Sequence, residues 1–570
     1  MNRSLTDSKT NSPEFRTEAA DRRVGFLAAC GCAALLIAKL ALVRRLNINW
    51  DEFHFLSDVY ALQRGVLTEP FLGVYTHLFT WLTRTGGDEI DQILVARLAM
   101  FACLIGTCWG LWKLACRWTS PGVALVAPLC YLSLLSVVVH GTSFRYDPML
   151  TFPSVVVLLL LSRINSPRWT AAGVWMGIAT AISLKAVLLL PVVGALVCAD
   201  FARTSRRYQS LFSGTGRFFV AATITAGALF WLHSFSVAPT ETSVALADRY
   251  VRQTLIEIPL FPQAYVLRRE FGADPVTWIL LGAGFVVSLI CSRYRPAAAC
   301  ALSLLPIVFY RNSFPYYYVA MLAPACILVA VLVDFTHRYI RPRVSHLVAL
   351  GLPAAAIVAL AGQGARHVYD FRFDDITNRQ RSVVDAVHQI FPDPVPYIDH
   401  GAMISSFPKV NFFMSSWGIQ RYVANGKSFM PSAIRLHHPP FLLANRPILQ
   451  PDHPFFENLL PEDQRLINEF YLPYWGPIRV AGASTTLHED KETIVRLPFP
   501  GKFRVETTDP IVIDATERHD GDVVDVGLSG KVSARALSSS AEGTRIRLLW
   551  AAARNPPSAS PPYQLIFIGL

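Results

Sequence analysis

Two acidic residues, Asp51 and Glu52, follow Trp50 just beyond the first strongly apolar stretch, residues 24–43. A carboxylate held at a membrane boundary is costly unless a partner or a reaction uses it, so a pair there marks a candidate reaction site. On a helix beginning near residue 51, Asp51, His54 and Asp58 fall at i, i+3 and i+7 and share one face, with Phe55 and Leu62 beside them. Three readings of that face stay open. Asp51 can act as a general base toward an acceptor hydroxyl. Asp51, His54 and Asp58 can ligate a divalent cation. Or Asn49 caps the helix, Glu52 reaches back as the third residue of a capping box, and the acids offset the helix dipole.

A second acidic position is Asp147 in Phe144-Arg145-Tyr146-Asp147-Pro148, where the plainer reading is a helix N-cap with Pro148 at the first helical position and Arg145 as its partner. Cations gather at similar places. Arg44, Arg45, Arg145, Lys185 and Arg311 lie at ends of apolar stretches, and Lys185 has so little loop around it that it must snorkel or pair with an anion. Guanidinium groups grip phosphate bidentately, so the cluster suits a lipid phosphate, while pairing with Asp51, Glu52 or Asp147 accounts for any one of them. The run Arg311-Asn312-Ser313-Phe314-Pro315-Tyr316-Tyr317-Tyr318 places tyrosines at a boundary, where they serve as interface anchors. Beside an arginine, Tyr316 also offers a face to a sugar ring or lipid headgroup.

The elements that must carry these residues are membrane helices. Over 570 residues the chain is 52% hydrophobic, and its apolar runs approach the ~20 residues a spanning helix needs. About eleven spans are expected, at 24–43, 91–113, 121–140, 148–162, 169–184, 186–201, 217–237, 276–291, 296–310, 316–334 and 345–362. Arginines in the short loops then fall on one side, at Arg22/Arg23, Arg117, Arg163/Arg168, Arg203/Arg206/Arg207, Arg293/Arg295 and Arg338/Arg341/Arg343, which makes that side cytoplasmic. The first loop (44–90), the Arg145–Asp147 turn, the 238–275 loop and everything after about residue 364 face outward, into the periplasm of a bacterial inner membrane. Those anchors also account for most of the +11 net charge, so nucleic acid is not an expected partner. Leu27-Ala28-Ala29-Cys30 resembles a lipoprotein box, but the apolar run continues past it, as in an uncleaved anchor. The ten cysteines all lie in or beside spans, which argues against a disulfide framework in the outward region.

Residues 1–22 read as a disordered cytoplasmic tail, 23–364 as the transmembrane catalytic domain, and 365–570 as a soluble periplasmic domain. Within the first loop, 51–65 has helical spacing and 71–82 suits the membrane surface. In the soluble domain a helix near 376–390, a strand near 395–399 and Pro-rich loops give a mixed α/β part over 365–497. Alternating runs at 510–514, 522–528, 532–537, 544–550 and 563–570 read as a β-sandwich over 498–570. His400, His437 and His438 are candidates to line an acceptor cleft, although histidines in loops are more often structural.

Together these residues resemble the GT-C glycosyltransferases, above all the branch of protein O-mannosyltransferases, the lipid A aminoarabinose transferase and the core galacturonosyltransferases. Asp51-Glu52 is similar to that family's acidic pair. Residues 177–191 (GIATAISLKAVLLLP) are similar to its Gly-x-x-Thr-Lys-Gly-Pro-x-x-Leu-Leu-Pro segment, with Ser183-Leu184-Lys185-Ala186 departing from the usual Thr-Lys-Gly so that Lys185 alone transfers. Residues 311–324 are similar to its Tyr-Tyr loop. The resemblance implies a polytopic helical fold with an outward C-terminal domain, and an inverting transferase that takes a sugar from a polyprenyl-phosphate donor. Asp51 would be the base, and Glu52 and Asp147 would support or orient the acceptor. Arg145, Lys185 and Arg311 would bind the donor phosphate, and His54, Asp58 and Tyr316 would contact substrate. The acceptor stays open among lipid A, core oligosaccharide, another polysaccharide and protein, with membrane lipids as neighbours. No cofactor is implied beyond an optional divalent cation.

Two other functions fit the same cations. A transporter or flippase of lipid-linked sugars would bind the phosphate during passage, but transporters show repeated halves and charges near the midplane, whereas these charges collect at one face. A non-catalytic assembly protein would bind glycans through an isolated 365–570 fragment.

Overall fold

A computed structural model describes residues 13–68, 73–163, 168–204, 208–238, 260–340, 346–372, 375–489, 491–537, 543–562 and 566–567. The expected loop 238–275 and strand 563–570 lie largely outside these residues. The N-terminal two thirds is helical: α1 (Pro13–Leu42), α2 (Trp50–Gln63), α3 (Glu89–Ala115), α4 (Val126–Ser133), α5 (Leu135–His140), α6 (Tyr146–Leu161), α7 (Trp169–Ile182), α8 (Leu190–Thr204) and α9 (Tyr208–Ser234). Further helices follow at Pro275–Ile290, Pro315–Ala325, Ile327–Phe335 and His346–Asp370. Among the described residues, four helices are long and apolar enough to cross a membrane, at Asp21–Leu42, Glu89–Ala115, Phe212–Ser234 and Pro315–Tyr339. Five shorter apolar helices of 10–17 residues pack with them.

Several apolar stretches are broken, and one of the breaks carries Lys185. The 121–140 stretch divides at Leu134, whose backbone is extended. Its freed groups are met from elsewhere: Asp274 Oδ2 accepts from the Leu135 amide at 2.9 Å, and Lys39 Nζ donates to the Val138 carbonyl. A buried polar backbone must be satisfied in this way. Between α7 and α8 a 3₁₀ turn, Leu184–Leu189, replaces a continuous helix and carries Lys185. The 296–310 stretch is likewise 3₁₀ over Arg295–Leu304, ending in a short turn at Pro306–Phe309. The helix Pro275–Ile290 bends by 98° from the preceding Ala264–Ala273.

Local rules set the elements that hold the acids. Asn49 Oδ1 accepts from the Asp51 amide at 3.0 Å and Glu52 Oε1 accepts from the Asn49 amide at 3.1 Å, the capping box anticipated at the start of α2. Asp88 caps α3 by accepting from the Asp91 amide at 2.8 Å. Asp147 is not an N-cap: Arg145 occupies that position with no side-chain cap bond, and Asp147 lies in the first turn of α6.

Among its described residues the C-terminal region has a helix at Ile376–Ile390 and eleven strands: β1 (Tyr397–Asp399), β2 (Phe441–Leu443), β3 (Tyr471–Trp475), β4 (Ile478–Leu487), β5 (Thr493–Arg496), β6 (Gly501–Thr507), β7 (Ile511–Ile513), β8 (Thr516–Arg518), β9 (Val523–Val526), β10 (Lys531–Ala536) and β11 (Thr544–Trp550). One seven-stranded sheet runs β1-β2-β4-β11-β6-β9, with β3 also on β4, and a four-stranded sheet runs β5-β10-β7-β8. The expected division at residue 497 is therefore corrected. β11 pairs antiparallel with β4 on one edge and β6 on the other, so one sheet spans both halves. Its apolar face does not stop at the domain either. Phe53, Leu56 and Val59 of α2 share a buried cluster with Val387, Tyr397 and Phe441.

Candidate active site

Four separate segments bring the site together. Arg145, at the start of α6, contacts the Asp51 carboxylate through Nη1 and donates to Asp147 Oδ2 through Nε at 3.3 Å. Lys185 Nζ, from the 3₁₀ turn, lies 3.1 Å from the other Asp147 oxygen, Oδ1. The resulting chain is Asp51, Arg145, Asp147, Lys185, with signs alternating along it. Asp147 is fully buried and Arg145 2% exposed, while Asp51, at 17%, is the acid that reaches solvent. Two cations around one buried acid compensate its desolvation, which neither would do alone.

Tyr316 forms the floor. Its ring centroid lies 3.7 Å from the Arg145 guanidinium carbon and 5.1 Å from Lys185 Nζ, and Lys185 also stands 4.4 Å from the Tyr146 ring. Aromatic faces of this kind hold cations without neutralising them. The Tyr317 hydroxyl donates to the Lys185 carbonyl at 3.3 Å, so the tyrosine run both lines the site and ties down the turn that carries the lysine.

Glu52 has a different place from the one expected. It is 1% exposed, takes a bidentate grip from Arg97 (Nε to Oε2 2.8 Å, Nη2 to Oε1 2.6 Å) and accepts from the Phe144 amide at 2.7 Å as well as from Asn49. With its oxygens filled, it has no lone pair to offer a substrate. It is a positioning residue that locks α2 to α3 and to the Arg145 turn. Arg97 completes the joint by donating to the carbonyls of Val43, Leu46 and Asn47. Arg97 was missed among the candidates, although a lone arginine inside the 91–113 run is itself the signal.

His54 and Asp58 pair with one another rather than with Asp51, 3.8 Å apart. His54 stacks on Phe413 at 4.2 Å, and Tyr75 donates its hydroxyl to Asp58 Oδ2 at 3.0 Å. Burial raises the Asp58 pKa above the usual carboxylate range, partly offset by His54 and Tyr75. The alternative of a three-ligand cation site on this face is corrected accordingly: among the described residues no group of three or more His, Cys, Asp and Glu converges as metal ligands. Arg311 stacks on Trp417 at 3.3 Å and donates to Gln420 Oε1 at 3.2 Å, so its described contacts run to the C-terminal domain rather than to Asp147.

Comparison with known proteins gives the fold. No protein-family model matches the sequence, and no curated protein does. Solved structures do. ArnT from Cupriavidus metallidurans bound to undecaprenyl phosphate is similar with a TM-score of 0.52 at 14% identity, over 70% of this chain and 88% of that one. Its apo state is similar with a TM-score of 0.50 at 13% identity, over 73% and 92%. A fainter likeness, TM-score 0.45 at 10% identity, is to the apo form of the Archaeoglobus fulgidus oligosaccharyltransferase. The chain has the GT-C fold.

Proposed function

We propose that this GT-C fold is an inverting glycosyltransferase that moves a sugar from a polyprenyl-phosphate donor to an acceptor hydroxyl. The observation that carries the reading is the Arg145 bridge between the exposed acid, Asp51, and the buried one, Asp147, with Lys185 behind it. The undecaprenyl phosphate in the ArnT structure supports a lipid phosphate as the ligand of those cations.

The chemistry follows from what each group can do. In the resting site Arg145 quenches Asp51 as a base. A donor phosphate competing for Arg145 and Lys185 frees the Asp51 carboxylate, which takes the proton as the acceptor oxygen bonds to the anomeric carbon and the carbon–oxygen bond to phosphate breaks. Negative charge leaves Asp51 and arrives on the departing phosphate, where two cations already sit. Asp147, in contact with both Arg145 and Lys185, keeps the two cations aimed. A single displacement inverts the anomeric centre.

In the same reading the eleven apolar stretches cross a bacterial inner membrane, the N-terminus is cytoplasmic, and the site and C-terminal domain are periplasmic. A transfer assay with an undecaprenyl-phosphate sugar tests the reaction. Asp51→Asn is expected to lower kcat by at least about 100-fold while undecaprenyl phosphate still binds. Full activity in that variant removes Asp51 from the mechanism.

A further inference from the structure

The loop that follows β1 and the segment that follows β2 both lie against Trp50, the residue before Asp51, and several of their features are unexplained by packing alone. The Arg446 guanidinium carbon stands 4.5 Å from the Trp50 ring centroid. Burial alone lowers its pKa, and among the described residues no carboxylate lies within ion-pair distance of it. His400 meets the same indole edge-on at 5.6 Å, is 5% exposed, and its Nδ1 is buried with no hydrogen-bond partner. A buried polar atom left unpaired is costly and asks for an explanation.

The backbone around His400 is held in place. Asp399 turns its carboxylate onto the amides of Gly401 and Met403, at 3.3 and 2.5 Å. Ala402 has φ +60°, a left-handed conformation that costs a residue with a Cβ. A Cβ at Gly401 would stand 2.7 Å from the Trp50 Cβ, so the loop touches α2 through bare backbone. Phe413 then joins the two sides, stacking on His54 and meeting His400 at 6.4 Å. Lys409 lies close by, donating to the carbonyls of Asn411 and Phe412, its pKa brought down to about 7 by burial, which Asp399 partly offsets.

We propose that Arg446 and His400, set on the Trp50 indole, form an anion subsite for the acceptor, which therefore carries an oxyanion, phosphate or carboxylate, near the hydroxyl it presents to Asp51. The proposal rests on the glycosyltransferase reading and deepens it by naming the acceptor's chemistry. The geometry supports it on three counts. The guanidinium has a flat aromatic support and no internal counter-charge, as in sites that bind anions from solution. The unpaired imidazole nitrogen supplies a second polar contact, and burial, with Arg446 and Lys409 beside it, pushes the His400 pKa down to about 3. The position is set by Phe413, which meets His400 and stacks on His54, the residue one turn on from Asp51 and on the same face of α2. It is also separate from the donor cations, which come from α6 and the 184–189 turn.

The test uses the full-length protein in detergent, saturated with undecaprenyl phosphate so that the donor cations are occupied, then titrated with inorganic phosphate or, in a parallel arm, acetate. One of the two anions is expected to bind as a further event and to shift the imidazole ¹⁵N resonance that His400→Gln removes. The stronger arm distinguishes a phosphorylated from a carboxylated acceptor. Arg446→Met, whose stem still covers Trp50, is expected to weaken that binding by at least about tenfold, and Arg446→Lys to restore part of it. Equal affinity in wild type and Arg446→Met, or no response of the His400 resonance in either arm, overturns the subsite. Protein that takes up no undecaprenyl phosphate counts against the donor reading instead, and the same anion titrations on lipid-free protein then still decide the subsite.

Discussion

At the scale of single residues, adjacent acids have been given opposite tasks by what surrounds them. Asp51 faces a cation and solvent, and so can exchange partners during a reaction. Glu52 points the other way into a closed set of donors, and so can only hold. That contrast is measurable. Removing Arg97 as Arg97→Met leaves Glu52 charged and buried without its partner, which costs about 3–5 kcal/mol. The expected result is a large fall in thermal stability, read by unfolding of the detergent-solubilised protein, and Asp51→Asn should show no comparable loss. A stability change for Arg97→Met as small as that of a surface substitution would mean that Glu52 is not locked as described. Sequence reasoning could nominate both acids from their position. It could not divide their roles, because the division depends on Arg97 and the Phe144 amide, 45 and 92 residues away.

At the scale of elements, the segment resembling the family's Gly-to-Pro motif does two jobs that the motif does not separate. Its lysine serves the site. Its first glycine serves helix packing, because a Cβ at Gly177 would meet Thr225 Cβ at 2.6 Å and the Ala222 carbonyl oxygen at 2.7 Å, while a Cβ at Gly173 would stand 2.3 Å from the Phe218 carbonyl oxygen. Small residues four apart let α7 and α9 approach at backbone distance. Gly177→Ala is expected to destabilise by about 1–3 kcal/mol through overpacking, seen as a lowered Tm, and undecaprenyl phosphate binding at saturating lipid should persist in the molecules that remain folded.

A second joint links α3 to the C-terminal helix. His388 Nε2 lies 2.9 Å from Glu89 Oε2, and Ser406 donates its amide to Oε1 of the same carboxylate at 3.2 Å. Burial alone would lower the His388 pKa, but the Glu89 hydrogen bond and charge outweigh it and raise it above 6.5. A raised histidine pKa stabilises the fold fully below the unfolded value and loses that contribution as pH rises through the folded value. The stability gap between wild type and His388→Gln should therefore be widest near pH 5 and narrow above neutrality. A gap that grows with pH reverses the sign and removes the ion pair.

At the scale of the molecule, the C-terminal region is packed onto α2 and the residues flanking it rather than appended as a separate module. The Ser405 hydroxyl donates to the Phe53 carbonyl at 2.8 Å, Arg64 Nη1 donates to the Ser406 carbonyl at 2.9 Å, and Gln380 brackets Ile48 by accepting from its amide at 3.0 Å and donating to its carbonyl at 2.7 Å. With a core shared across this boundary, an isolated 375–570 fragment would expose the apolar faces of Tyr397 and Phe441. It is expected to bind a hydrophobic dye and to lack cooperative unfolding by near-ultraviolet circular dichroism. A fragment that melts cooperatively and binds glycans alone would favour an assembly protein.

The sequence by itself determined the long apolar helices, the cap of α2, the acids and cations that come together, and the strands β1, β7, β9, β10 and β11 of the C-terminal region. Each of these is written in local periodicity, a capping pattern or a charge that apolar surroundings make expensive. Only the tertiary structure decided which acid is closed in by Arg97 and which keeps an edge to solvent, that Arg311 turns to Trp417, that one sheet joins both halves of the C-terminal region, and that His400 and Arg446 flank Trp50. Those outcomes are long-range pairings, and the free energy of a pairing between residues hundreds of positions apart depends on burial and partners that neither segment encodes alone.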